Sequence, residues 1–284
     1  MSKYKENIMK VIFFAAACAS ILAVALICLF LFVNGFPAMG KIGFLEFLAG
    51  RTWKPVDVPP SYGILPMILG SIYVTAGATV IGVPIGLLTA VFMARYCPSK
   101  LYRLLKPAIN LLAGIPSIVY GFFGLVVIVP IIRDLFGGTG QSMLTASILL
   151  GIMILPTIIG VTESAIRAVP QNYYEGGLAL GASHERSIFF IVLPAAKSGI
   201  MAAVVLGIGR AIGETMAVIM VAGNQARMPA GLLKGIRTLT ANIVMEMGYA
   251  ADLHREALIA TAVVLFVFIL LINLLLSLIN RRAR

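Results

Sequence analysis

Six apolar runs, each long enough to cross a bilayer, decide what this 284-residue chain can fold into. They lie near residues 11–33, 66–94, 108–132, 144–166, 198–222 and 257–279. A hydrocarbon core about 30 Å thick is crossed by roughly 20 helical residues. With 60% hydrophobic and 12% charged residues, the chain carries more apolar surface than a water-soluble core can hide. The runs are continuous and rich in Leu, Ile and Ala, whereas barrel strands alternate over about ten residues. A helix satisfies its own backbone inside lipid. The sequence therefore implies an all-α polytopic membrane protein with six transmembrane helices. Gly82-Val83-Pro84, Gly114-Ile115-Pro116 and Leu155-Pro156 fall inside runs. In a bundle such residues permit close packing and local unwinding. The first run is expected to stay as a span, because it is too long for a secretory signal and lacks a clear small-residue cleavage site.

The net charge of +11 acquires meaning through its distribution. With the N-terminus inside, thirteen of the 22 Lys and Arg, from Lys3 to Arg284, fall in inner segments and eight in outer loops. Arg210 remains within a span. The excess of basic residues on one side predicts that both termini and the 167–197 segment are cytoplasmic. Cys18, Cys28 and Cys97 have neither metal-ligand spacing nor a disulfide pattern, and His184 and His254 have no ligand partner at usable spacing. In the outer segment 34–65, Phe44, Phe47, Trp53 and Tyr62 suit an interfacial aromatic belt. In the outer segment 223–256, Leu232, Ile236, Leu239, Ile243 and Met247 recur at helical spacing, predicting an amphipathic or re-entrant helix. Residues 1–65 form a first helix and loop, and residues 66–279 the main transmembrane domain.

Between the fourth and fifth runs lies a polar, basic stretch. It reads Glu175-Gly176-Gly177, three residues, Gly181, nine residues, then Ile191-Val192-Leu193-Pro194. Gly181 permits a tight bend between two short helices. Glu175, Glu185 and Arg186 offer charged contacts to a soluble partner, and Leu178, Leu180, Ile188 and Phe189 offer apolar ones. A helix lying on lipid headgroups is the plainer reading of such a hairpin. Its pattern nevertheless resembles the EAA loop of ABC importer permeases, in which the hairpin near 170–197 would be the coupling helix that inserts into an ATPase subunit. The resemblance implies coupling roles for Glu175, Gly176, Gly177, Gly181, Ile191, Leu193 and Pro194, and a type I ABC importer permease fold. No Gly-x-x-x-x-Gly-Lys-Ser/Thr cradle for ATP phosphates occurs. The chain is thus expected to bind no cofactor and perform no chemistry, with ATP and Mg held by the partner ATPase.

Two further stretches, Gly114 to Gly124 and Gly209 to Val218, resemble signatures of the phosphate-permease branch, the second being closer to its PstC-type than its PstA-type subunit. An anion also suits the residues themselves. A charge within a span costs about 2.5–3.5 kcal/mol on insertion scales and marks function by default. The guanidinium of Arg210 is permanently charged and grips phosphate oxygens two at a time. Gly207, Gly209 and Gly213 let neighbouring backbone approach it. Glu214 stands four residues on, so two readings remain: a structural ion pair, or a pathway pair in which Glu214 holds Arg210 until the anion competes. Pro116 should break the third helix, offering Ser117 and Tyr120 to the pathway, and Thr215 could add a hydroxyl. Interhelical hydrogen bonds are the alternative for each. Arg227, Lys234 and Arg237 could attract anions or an acidic binding protein, or lie at headgroups. Glu163 and Arg167 read as a structural helix pair.

The resemblance implies one permease subunit of a bacterial phosphate importer in the inner membrane. Its partners would be a second, PstA-like permease subunit, two cytoplasmic ATPase subunits, an extracytoplasmic phosphate-binding protein and membrane lipid, with no nucleic acid. The alternatives are a permease for molybdate or sulfate, or an ion-coupled carrier.

Overall fold

A computed structural model describes residues 3–282; Arg284, one of the inward charges, lies outside them. Helix α1 (Lys3–Ile42) is followed by α2 (Phe44–Ala49), a two-stranded hairpin of β1 (Trp53–Lys54) and β2 (Ser61–Tyr62), α3 (Leu65–Val91), α4 (Ser99–Gly114), α5 (Ser117–Phe123), α6 (Val129–Phe136) and α7 (Met143–Arg167). Then come α8 (Gln171–Ala179), α9 (His184–Ser187), α10 (Leu193–Ala195), α11 (Lys197–Gly213), α12 (Met216–Val221), α13 (Leu239–Glu246) and α14 (Asp252–Arg282). The strands pair antiparallel, Trp53 opposite Tyr62 and Lys54 opposite Ser61. Widened π turns extend α3 at Phe92–Tyr96, join α5 to α6 at Gly124–Ile128, and join α9 to α10 at Ile188–Val192.

Five helical segments among the described residues are long and apolar enough to cross a membrane: Glu6–Ile42, Leu65–Tyr96, Ser117–Phe136, Met143–Arg167 and Asp252–Leu275. The fifth run is not one straight helix. It enters through a 69° bend between His184–Ala195 and Lys197–Gly213 and breaks again before α12. The third span also departs from expectation. It begins at Ser117 instead of residue 108, because Gly114-Ile115-Pro116 stops the helix and the chain before it forms the separate amphipathic α4. Pro116 cannot continue the ladder of α4, and its fixed φ starts α5.

Helix α7 is the centre of the bundle. It packs along α3 and α11, and touches α4, α5 and α12. Leu149, Leu150, Met153, Ile154 and Ile158 of α7 are all but fully buried, and between membrane helices such side chains hold the bundle by close van der Waals packing. A second core joins α1, α2, the hairpin, α13 and α14. Here the aromatic expectation changes. Phe44 is exposed, but Phe47, Trp53 and Tyr62 are buried in this core, with Trp53 edge-on to Tyr62. A segment that reads as an interfacial loop is instead a packed cap, with α1 helical through Ile42. The helix expected across 232–247 is likewise shorter, spanning α13 alone, with Leu232 exposed and Leu239 buried.

The two stretches around residues 114–124 and 209–218 meet in this bundle. A Cβ on Gly121 would sit 2.9 Å from Ala217 Cα and 2.7 Å from Met220 Sδ. A side chain at 121 therefore has nowhere to go without separating α5 from α12. Gly121→Val is expected to lower the stability of the detergent-solubilised protein by about 1–3 kcal/mol, and an unchanged thermal unfolding midpoint would contradict the contact.

Candidate functional site

The site forms where the fifth apolar run comes apart. Helix α11 ends at Gly213, Glu214 is extended (φ −70°, ψ 130°), and a new helix starts after Thr215. Arg210 occupies the last turn of α11 and is half-buried. It does not pair with Glu214, contrary to the four-residue spacing. Its Nη1 donates to Thr157 Oγ1 on α7 at 3.2 Å. The Glu214 carboxylate is turned the other way. One of its oxygens accepts from the backbone N–H groups of Thr215 and Ala217, both at 3.1 Å. The spacing argument assumed a continuous helix, and the break removes that geometry. With the helix open, the first N–H groups of α12 need an acceptor, and Glu214 supplies it. Thr215 donates its hydroxyl to Gly213 O at 3.2 Å. The Glu214 carbonyl accepts from the buried Thr240 on α13 at 3.1 Å. Of the three glycines near Arg210, only Gly207 serves a close approach, against Ile158; Gly209 and Gly213 face open space.

The neighbouring break at 114–116 is stabilised similarly. Tyr120 is buried and donates its hydroxyl to Leu112 O, near the end of α4, at 2.8 Å. That bond satisfies a carbonyl left over by the helix end and is the interhelical alternative for this hydroxyl. Ser117 is half-buried in the first turn of α5. Arg210, Glu214, Thr215, Ser117 and Tyr120 thus all stand on or beside two interrupted helices.

The polar hairpin folds as two short arms. Gly181 has φ +84° and turns the chain between α8 and α9, a conformation that glycine adopts without a Cβ penalty. Ser183 caps α9 through the Arg186 N–H at 3.3 Å. Gly177 is buried, and a Cβ there would lie 2.7 Å from both Ile191 Cδ1 and Ser187 Oγ. Gly176 and Glu175 are exposed. Glycine at 177 therefore lets the arms touch, whereas a Cβ at 176 would meet open space. Ile191 and Leu193 are half-buried and Pro194 is exposed beyond the turn. Ile188, read as a surface contact, is buried against Val91 and Ile166. The apolar side chains that do face out are Leu180 (90% exposed), Phe190 (75%), Phe189 and Leu178. Phe190, outside the expected set, faces out from the π turn Ile188–Val192, which turns Ile188 inward. At its base the hairpin is tied to α3 and its extension. Tyr174 hydroxyl lies 2.7 Å from His184 Nδ1, and Tyr96 stands edge-on to His184.

Two acidic hubs frame the bundle. At the end carrying the hairpin, Glu163 is 1% exposed. It accepts from Arg167 Nε at 2.8 Å, Lys106 Nζ at 2.7 Å and Tyr102 hydroxyl at 2.7 Å. The bond to Glu163 pushes the Tyr102 phenol above its ordinary range, with burial adding to it. Glu163 and Arg167 form the helix pair that their spacing implies; Lys106 and Tyr102 could be found only with α4 in place. At the far end Glu246, also buried, accepts from Trp53 Nε1 and pairs with Arg237 and His254, each at 2.8 Å or less. Arg237 further donates to Asn242 Oδ1 and Asn224 O, both at 3.0 Å. Arg237 is therefore neither a free anion attractor nor a headgroup contact. His254 is likewise committed to this network.

The sequence matches the family described as binding-protein-dependent transport system inner membrane component over residues 82–284. The probable ABC transporter permease protein YqgH of Bacillus subtilis (strain 168) is 41% identical over 272 residues, covering 92% of this chain and 88% of that protein. The phosphate transport system permease protein PstC of Mesorhizobium japonicum is 35% identical over 279 residues, covering 91% and 84%. Among solved structures, a chain of a bacterial alginate ABC transporter aligns with TM-score 0.69 at 16% identity, over 99% of this chain and 97% of that one. A chain of the inward-facing MetNI methionine ABC transporter aligns with TM-score 0.61 at 22% identity, over 78% and 97%. These likenesses establish the all-α fold of ABC importer permeases.

The capping role of Glu214 separates two substitutions. Glu214→Gln keeps an acceptor for the Thr215 and Ala217 N–H groups and should preserve the thermal stability of the protein. Glu214→Ala removes it and should cost about 0.5–2 kcal/mol. Equal losses in both variants would favour the ion pair instead.

Proposed function

The chain belongs to the family of binding-protein-dependent transport system inner membrane components, and on that premise we propose that it forms half of the translocation pathway of an ATP-driven phosphate importer. It is a multi-pass inner-membrane permease subunit, not itself an enzyme. The observation that carries the anion assignment is Arg210. It is a permanent charge in a membrane run, held by a neutral threonine and by no carboxylate of the described chain. A guanidinium has five donors in a planar fork. With one directed at Thr157, the others are available to oxyanion oxygens, for which the fork is suited. The phosphate transport permeases among its relatives support phosphate as that anion. Interrupted helices near the bilayer centre are a recurrent way to build such a site, because irregular backbone is tolerated where it lines a cavity. Glu214, Thr215, Ser117 and Tyr120 shape this pathway around Arg210, Glu214 and Tyr120 chiefly by holding the two breaks open.

In this reading a second, PstA-like permease subunit completes the pathway. An extracytoplasmic phosphate-binding protein delivers the anion. Both termini and the hairpin face the cytoplasm, where two ATPase subunits carry ATP and Mg. The 170–197 hairpin is the docking elbow: Glu175 offers a charged contact, Leu180 and Phe190 apolar ones, and Gly177, Gly181, Ile191, Leu193 and Pro194 keep its shape. ATP binds one state of the ATPase pair more tightly than the other, and the elbow passes that difference into the bundle as a shift between outward-open and inward-open states.

Arg210→Gln should abolish phosphate uptake by whole cells while the complex still assembles; normal uptake would remove Arg210 from the pathway. Uptake of labelled molybdate or sulfate in preference to phosphate would reassign the substrate. Glu175→Lys should release the ATPase from membranes, and undiminished co-purification would count against the docking elbow.

A further inference from the structure

Thr157 has no place in the sequence signatures, yet it is the residue that Arg210 meets. It stands in the middle of α7, directly after Pro156. Its behaviour differs from that of two serines on the same helix. Ser147 and Ser164 each donate to the carbonyl four residues back, Met143 O and Gly160 O, at 2.8 Å. That local bond is the usual outlet for a helical hydroxyl in apolar surroundings. The Thr157 hydroxyl makes no such bond among the described residues. Its oxygen instead accepts from Arg210 Nη1 across 53 positions of sequence. The hydroxyl is a donor as well as an acceptor, so its proton is left for another oxygen.

Resting on the reading of Arg210 above, we propose that Thr157 is a positioning residue for anion transport. It fixes the guanidinium of Arg210 from α7 and presents its own O–H beside it, so that two donors from two helices converge on one oxyanion. Three observations give this its footing. Arg210 is the last-turn residue of a helix that ends three positions later, so its own helix does little to orient it. The single carboxylate close in sequence, Glu214, is engaged with backbone N–H groups. Helix α7 is the most buried span, so a hydroxyl anchored on it moves little relative to the core. A long charged side chain held at one end by such a fixed acceptor loses less freedom when the anion arrives.

The test uses the whole transporter, with its second permease subunit, ATPase and phosphate-loaded binding protein, reconstituted in proteoliposomes. Uptake of labelled inorganic phosphate is compared for Thr157→Val, Thr157→Ser and Arg210→Gln. Valine keeps the shape and removes both hydrogen-bonding functions, and should lower uptake about tenfold, the factor carried by one hydrogen bond to a charged group. Serine keeps the hydroxyl and should restore uptake to within about twofold of the parent, at unchanged complex yield. Parental uptake by the valine variant overturns the proposal. Equal loss in the serine and valine variants also overturns it, because packing alone would then explain the site. If Arg210→Gln is inactive while Thr157→Val is normal, the pathway reading survives and only the positioning role fails. If Arg210→Gln transports normally, both fall.

Discussion

An open helix turn and a fixed positive charge are each costly in lipid, and this fold puts them together at the end of α11. Every backbone group in a bilayer must find a partner inside the protein, and a charge must find a counterpart or a polar cavity. The break at 213–215 meets the first demand with borrowed groups. The Glu214 side chain takes two N–H groups, and Thr240 supplies a donor to the Glu214 carbonyl. Thr157 on the central helix answers the second demand only in part, taking one of the five Arg210 donors. The rest of the architecture keeps these groups in place. The glycine face of α5 allows α12 to lie close, and the Tyr120 bond to Leu112 O secures the matching break in the third span.

The two acidic hubs follow the same physics at the ends of the bundle. Glu163 ties α4 and α7 at the end that carries the hairpin, and Glu246 ties the β-hairpin cap, the 223–238 loop and α14 at the other. A buried carboxylate is tolerated because several donors surround it. The carboxylate of Glu163 is the buried member, while Lys106 and Arg167 are a third to a half exposed. Solvent screening there reduces what the ion pairs contribute. Registry between elements is the better-supported benefit.

Much of this was legible along the chain because the signals are local. Apolar run length marks a membrane span. Gly181 and Pro116 punctuate backbone wherever they occur, and both act as their chemistry requires, one with φ +84° and the other at a helix break. Glu163 and Arg167 pair because a helix places positions four apart side by side. The same rule failed for Arg210 and Glu214. Periodicity holds only while the helix does, and Gly213 followed by a carboxylate able to cap the next turn lets it stop. The aromatics of the 34–65 segment misled for a related reason: an interfacial ring and a core ring have the same composition.

The sequence by itself determined that the chain spans a membrane as helices, that a polar elbow interrupts them, and that one arginine would stand among apolar residues. These are consequences of transfer free energy and backbone stereochemistry, which act residue by residue. Only the tertiary structure decided which group Arg210 would meet, where Glu214 would turn, and that Trp53, Arg237 and His254 would converge on Glu246. Those choices depend on side chains from distant segments competing for the same few partners, a competition that has no outcome until the helices are packed.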